Sequence, residues 1–431
     1  MRSKKSILGN FTRAMYSESF CIRPNTEKEL LDYLKSERPK AILARGAGLS
    51  YSDSCFNTDH LVIDTQFLNH FIHFDEHTGV VVCQGGMPLL DLFLLHQDFI
   101  PPVVPGTIHA TVAGCIAHDV HGKNNHREAS FGRHVLWLEI IVANKLIRCS
   151  PYEHSDLFYA TVGGLGLTGI ITQVALQMKH ASRSVSIENK TFESIQELTQ
   201  NMSSYGLNHD YQVAWLDLLN PVPRSIHCMA NHSSEVVKED SKHYRAIRFP
   251  FRMIYKWNML LFNKLYFVSK KQNEQQGFIH FNNPLDSVDG WNRLYGPKGL
   301  IQFQALFDQN RATEIIEQLI HIIREHKAIP TLAVLKLFIQ SGNGLLSFCQ
   351  PGFTIAIDFV HNQQAKQAIM HMNQFITDIN GRVYLAKDLL LNPDQFRSMY
   401  NTHEQFEQTL KHYRCNMHSD LAERVGINHD R

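Results

Sequence analysis

Three glycine-rich stretches hold the residues whose types and spacing could do chemistry. The first is Ala44-Arg45-Gly46-Ala47-Gly48-Leu49-Ser50-Tyr51-Ser52-Asp53, directly after a short run of strand character. Gly46 and Gly48 permit positive φ and close backbone approach, so successive N–H groups can converge on an anion while Ser50 adds a hydroxyl donor. Taken alone, it is equally an ordinary glycine-rich turn. The second stretch runs from Pro105-Gly106-Thr107 through Thr111-Val112-Ala113-Gly114 to Asp119-Val120-His121-Gly122-Lys123-Asn124. The third is Thr161-Val162-Gly163-Gly164-Leu165-Gly166-Leu167-Thr168-Gly169-Ile170-Ile171. Three such loops, each beside a β-type run, could wrap one extended dinucleotide. The first lacks the G-x-G-x-x-G spacing, which disfavours a Rossmann nicotinamide site there.

The elements that must position these loops are short. Runs at 41–44, 61–64, 80–84, 136–142 and 170–178 have strand composition and are punctuated by Gly and Pro. Helical patterns at 26–36 and 88–97 lie between them, giving an α+β reading. From Gly299 the spacing predicts strands at 300–306, 331–338 and 354–359 and helices at 313–326 and 363–380. In the first of these strands Gln302 and Gln304 are two apart, so both can point into one cavity or both onto a solvated face.

At 431 residues the chain has room for two or three domains. Charged residues make up 19% against 44% hydrophobic, a folded globular composition. The net charge of +1 provides no bulk field to recruit nucleic acid, so any anionic ligand must be held locally. The eight cysteines form no C-x-x-C pair or clustered spacing and read as reduced, with no metal site. No apolar run is long enough for a signal peptide or a membrane span, and a cytoplasmic location follows by default. The tract 245–271 mixes seven basic residues with Phe, Tyr, Trp and Leu. It fits either an element lying in a bilayer interface or a core helix with snorkelling lysines.

Taken together, the three loops resemble the FAD-binding domain of the vanillyl-alcohol oxidase (PCMH-type) flavoproteins. Later motifs, among them Asn283-Pro284-Leu285-Asp286, Trp291-Asn292-Arg293, Tyr295-Gly296-Pro297, Lys336-Leu337-Phe338, Tyr384-Leu385-Ala386-Lys387-Asp388 and Ser419-Asp420-Leu421-Ala422, are similar to the branch of that family that oxidises a polyprenylphosphoryl ribose. The resemblance implies a PCMH-type FAD domain at 1–182, completed by a C-terminal segment at 382–431. A substrate domain at 183–381, built on an antiparallel sheet, would lie between them. It implies that Arg45, Gly46, Ala47, Gly48, Leu49, Ser50, Tyr51, Gly106, Thr107, Thr111, Gly114, Asp119, His121, Gly122, Asn124, Gly169, Ile170, Ile171, Tyr384 and Lys387 line FAD. Lys387, His121 and Tyr51 would be the catalytic candidates. Gln302, Gln304, Lys336, Tyr295, Trp215 and Ala356 would face the substrate, with Lys336 a partner for its phosphate.

Relatives that bind FAD covalently use a His where this chain has Leu49 or a Cys where it has Thr107, so the resemblance implies non-covalent FAD. Ala356 stands where the branch has a Cys beside the flavin, and Thr354, Asn282 and Asn283 also depart from it, which opens the substrate's identity. The expected activity is oxidation of the 2'-hydroxyl of a polyprenylphosphoryl ribose as half of an epimerisation, with a separate NAD(P)H-dependent short-chain reductase as partner. The alternatives are a soluble aldonolactone- or alditol-type oxidase using oxygen, and a non-catalytic FAD-containing peripheral membrane protein.

Overall fold

The computed structural model describes residues 1–237, 244–247 and 250–427, so Arg248 and Phe249 of the basic tract lie outside the described residues. The described residues form a mixed α/β structure with three main sheets. A four-stranded sheet has the order Lys4–Gly9, Tyr16–Ile22, Leu61–Asp64, Ile42–Arg45, antiparallel at its first pair and parallel at the others. The helix Glu27–Glu37 makes the crossover before Ile42–Arg45; Thr26 caps it by accepting from Glu29 N, and Leu30 and Leu34 bury its apolar side. The C-terminal tail returns to this sheet: Ile42 N donates to Asn416 O at 3.2 Å and His418 N to Ile42 O at 2.8 Å.

A five-stranded antiparallel sheet follows, with Ile170–Gln177 at its centre between Val80–Gln84 and Val135–Val142. The strands expected in this half begin and end within one or two residues of their sequence bounds, because uninterrupted β-branched runs between Gly and Pro leave little freedom of assignment.

The third sheet is antiparallel throughout, with eight strands in the order Asn273–Gly277, Ser184–Phe192, Arg224–Ser233, Tyr211–Asp217, Pro330–Phe338, Gly352–Val360, Leu300–Phe307, Arg382–Val383. Phe303, Ala305, Leu335, Ile355 and Ile357 join one hydrophobic core with the buried sides of helices Ala312–Glu325 and Gln363–Asp378. The alternating residues point the other way. One rung there runs Gln304, Ala356, Val334, Trp215, Ile226 across five paired strands, and the next runs Gln302, Asp358, Leu332. Among the described residues, no helix is long and apolar enough to cross a membrane.

Candidate active site

The polar face of the eight-stranded sheet and the three glycine loops enclose one cavity of about 950 Å³, near the upper end of the ~300–1,000 Å³ typical of small-molecule sites. The first loop is shaped by close approach. Gly48 has φ +66°, and a Cβ at Gly46 would lie 2.3 Å from Thr111 Oγ1. Arg45 is occupied in holding the loop, donating to Cys55 O and Gly9 O at 2.9 Å each. Asn283 Nδ2 donates to Pro105 O at 2.7 Å and Asp286 Oδ2 accepts from Ile108 N at 2.9 Å, so the second half of the chain fixes the second loop. In the third loop, residues 164–169 do have the G-x-G-x-x-G spacing. They lie between helix Ser155–Thr161 and strand Ile170–Gln177, the reverse of the strand-to-helix order a Rossmann site needs.

The turn at Tyr384–Lys387 closes the site. Ala386 O accepts from Tyr51 N and Ser50 Oγ at 3.2 Å each, and Tyr384 OH donates to His118 O at 3.0 Å. Lys387 Nζ lies 3.2 Å from the centroid of the Tyr51 ring, which stacks on Phe11 at 5.1 Å. Behind the turn, Arg424 donates to both oxygens of Asp53 at 2.8 and 2.9 Å and to Asp388 Oδ2 at 2.8 Å. This clamp ties the first loop to the segment that holds Lys387.

Burial pushes Lys387 down to about 7, opposed by Asp358 and assisted by Lys336. Asp358 is raised to about 6 by burial, against the hydrogen bond donated by Gln302 Nε2 and the field of Lys387. His121 is held well below the usual imidazole range by burial, then by Lys336 and Lys387, and is a neutral ring. Gln304 Nε2 donates to its Nε2 at 3.0 Å, which leaves the proton on Nδ1, a buried atom with no partner among the described residues. Lys336 and Lys123 are each lowered to about 8 by burial.

The catalytic candidates Lys387, His121 and Tyr51 all line this one cavity, together with all six substrate candidates, Gln302, Gln304, Lys336, Tyr295, Trp215 and Ala356. So do Arg45 through Ser50, Gly106, Thr107, Thr111, Gly114, Gly169, Ile171 and Tyr384. Four expected cofactor contacts do not. The Asp119 carboxylate is spent on donors from Ser130, Gly132 and Ser347 at 2.9, 2.9 and 2.5 Å. Asn124 donates to Pro102 O at 2.9 Å, Gly122 packs against Asn124 and Val104, and Ile170 belongs to the core under the four-stranded sheet. Sequence reasoning missed Asp358 and Arg424 altogether and gave Lys123 no role. The available signal for Asp358 was its period-2 relation to Thr354 and Ala356.

Residues 19–150 match the FAD binding domain family. The decaprenylphosphoryl-β-D-ribose oxidase of Mycolicibacterium smegmatis is 31% identical over 387 residues, 84% of each chain. The chain belongs to the PCMH-type FAD-linked oxidoreductases. A Neurospora crassa protein named for D-arabinono-1,4-lactone oxidation is 29% identical over 182 residues, 40% of this chain and 32% of that one. The D-2-hydroxyglutarate dehydrogenase of Danio rerio is 25% identical over 201 residues, 43% and 37% of the two chains.

As a PCMH-type oxidoreductase, the protein is an FAD-dependent enzyme. The cavity fits that cofactor: Gly106 and Gly166 face open space where a ligand can approach the backbone, and His121 Nδ1 is a buried donor awaiting an acceptor. The two positions used for covalent attachment in relatives are Leu49 and Thr107, which offer neither imidazole nor thiol. Acid precipitation is therefore expected to release the yellow colour into the supernatant. Colour kept in the pellet would show a covalent bond elsewhere on the wall.

Proposed function

We propose that this enzyme oxidises the 2'-hydroxyl of a ribose carried on a polyprenyl phosphate to the 2'-keto form, as half of an epimerisation. What carries the reading is the pair Lys336 and Lys123. Both line the cavity wall half-buried, and neither makes an ion pair with a carboxylate among the described residues, Lys123 Nζ donating instead to Phe281 O at 2.5 Å. Half-buried cations favour an anion, and a substrate phosphate is one. Lys336 lies two residues from Val334, which is the middle member of the rung that runs from Gln304 to Ile226. The far wall, Val213, Trp215 and Ile226 against Met259 and Phe262, is apolar and suits a hydrocarbon tail.

FAD supplies the acceptor for the carbinol hydride. The glycine loops and the Tyr384–Lys387 turn would hold it. Lys387, neutral above about 7, takes the hydroxyl proton as the hydride leaves. Asp358, ionised above about 6, steadies the resulting ammonium. Gln304 donates to His121 Nε2 and so fixes the neutral ring at the cavity wall. The ketone then passes to a separate NAD(P)H-dependent short-chain reductase, which returns it with inverted configuration. We read 1–182 with 382–431 as the FAD domain and 183–381 as the inserted substrate domain; support comes from which residues build each sheet, although Arg382–Val383 still pairs at the edge of the eight-stranded one.

Anaerobic mixing tests the function. A lipid-linked ribose should bleach the flavin. Bleaching only by a free alditol or aldonolactone would establish the second reading, which the Neurospora crassa relative favours over its 182 matched residues; no bleaching by either would point to a non-catalytic flavoprotein. The proton assignment has its own test. The Asp358 carboxylate raises Lys387, so Asp358→Asn should lower the pKa of Lys387. The inflection in kcat/KM near pH 7, below which the rate falls as the amine protonates, should then move to more acid pH. An inflection that stays or moves upward would remove Lys387 as the titrating base.

A further inference from the structure

The helix Lys256–Ser269 has two apolar sides where a surface helix ordinarily has one. Met259, Phe262 and Tyr266 turn toward the cavity, and Asn263 anchors that side by donating to Asp217 Oδ1 at 2.7 Å. On the opposite side, Trp257, Leu261, Leu265 and Val268 fall within an arc of ~80° at 3.6 residues per turn. They are 69%, 53%, 56% and 67% exposed. Four large apolar side chains aligned in water form a contiguous patch, unlike scattered surface hydrophobics.

Charge narrows what can cover the patch. Residues 244–271 contain no Asp or Glu, and Lys256, Lys264 and Lys271 are exposed around its rim. A second copy related by two-fold symmetry would press basic rim against basic rim. An anionic lipid surface is complementary to both the patch and its rim. The same helix also forms part of the cavity wall, through Met259, Phe262 and Tyr266.

We propose that this face docks on an anionic bilayer. The helix lies in the interface with Trp257, Leu261, Leu265 and Val268 among the acyl chains and its lysines at phosphate level, while its other side remains on the cavity wall. The docking stands on exposure and charge and does not depend on which sugar is oxidised.

Flotation of the FAD-loaded enzyme with vesicles tests it without substrate. Vesicles of phosphatidylcholine with phosphatidylglycerol should carry the protein, and phosphatidylcholine alone should carry at least tenfold less. Leu261→Gln combined with Leu265→Gln should weaken binding at least tenfold with flavin content and melting temperature unchanged. Should that variant fail to fold, brominated lipid provides a second readout: it should quench wild-type emission, and Trp257→Phe should remove the quenched component. Absence of wild-type binding to anionic vesicles, or equal binding by a folded double variant, overturns the proposal. So does a wild-type dimer that the double variant dissolves, which would assign the face to a second copy.

Discussion

Lys387→Met is expected to lower the rate of flavin reduction by about 10²–10⁴-fold, the range a positioned general base contributes, while the flavin stays bound. The side chain points into the cavity over the Tyr51 ring, while its backbone N–H is satisfied by Tyr384 O at 2.9 Å. Removing the amine thus takes away the proton acceptor and leaves the turn intact. Methionine fills similar volume without a charge, and it relieves the burial cost that holds Lys387 down at about 7. Arginine should not rescue, because a guanidinium stays protonated across the working pH range. Stopped-flow reduction at saturating donor, with flavin content read from absorbance, checks the result. A rate within tenfold of wild type would exclude Lys387 as the acceptor.

Arg424→Ala should destabilise the protein by about 3–5 kcal/mol, as expected when one partner of a buried ion network is removed. The side chains of Asp53 and Asp388 are 4% and 1% exposed, so the truncation strands two carboxylates that water cannot reach. The loss should extend to function. Asp53 follows the first glycine loop and Asp388 follows Lys387, so loosening the clamp separates the two walls of the cavity and should lower flavin occupancy. Urea unfolding and flavin content after gel filtration measure the two effects. Adding Asp53→Asn and Asp388→Asn to the variant should recover part of the stability, because it removes the stranded charges. A triple variant no more stable than Arg424→Ala would mean that lost packing dominates instead.

The parts of this site that could be read from the sequence are those written in local chemistry. Gly46, Gly48 and Gly106 announce loops that must admit a ligand, and the runs at 61–64 and 80–84 announce strands by composition alone. What escaped depends on partners far along the chain. Arg424 meets Asp53 across 371 positions, and neither residue looks unusual in its own neighbourhood. Asp358 becomes part of the site only because Gly352–Val360 pairs between Leu300–Phe307 and Pro330–Phe338, bringing Gln302 alongside. Asp119 illustrates the opposite case. A carboxylate among glycines looks free to face a ligand, but here it accepts from Ser130, Gly132 and Ser347 and lies off the cavity wall. The tract 245–271 kept both its readings because a helix apolar on two sides has no periodicity to say which side is inside.

The rung Gln304, Ala356, Val334, Trp215, Ile226 also acts as a ruler. Adjacent strands stand ~4.8 Å apart, so its four gaps measure out ~19 Å from the His121 end to the wall beneath helix Lys256–Ser269. A molecule gripped along that whole length has to be far longer than a single furanose, and trimming its distal end should loosen the grip in steps of one strand at a time.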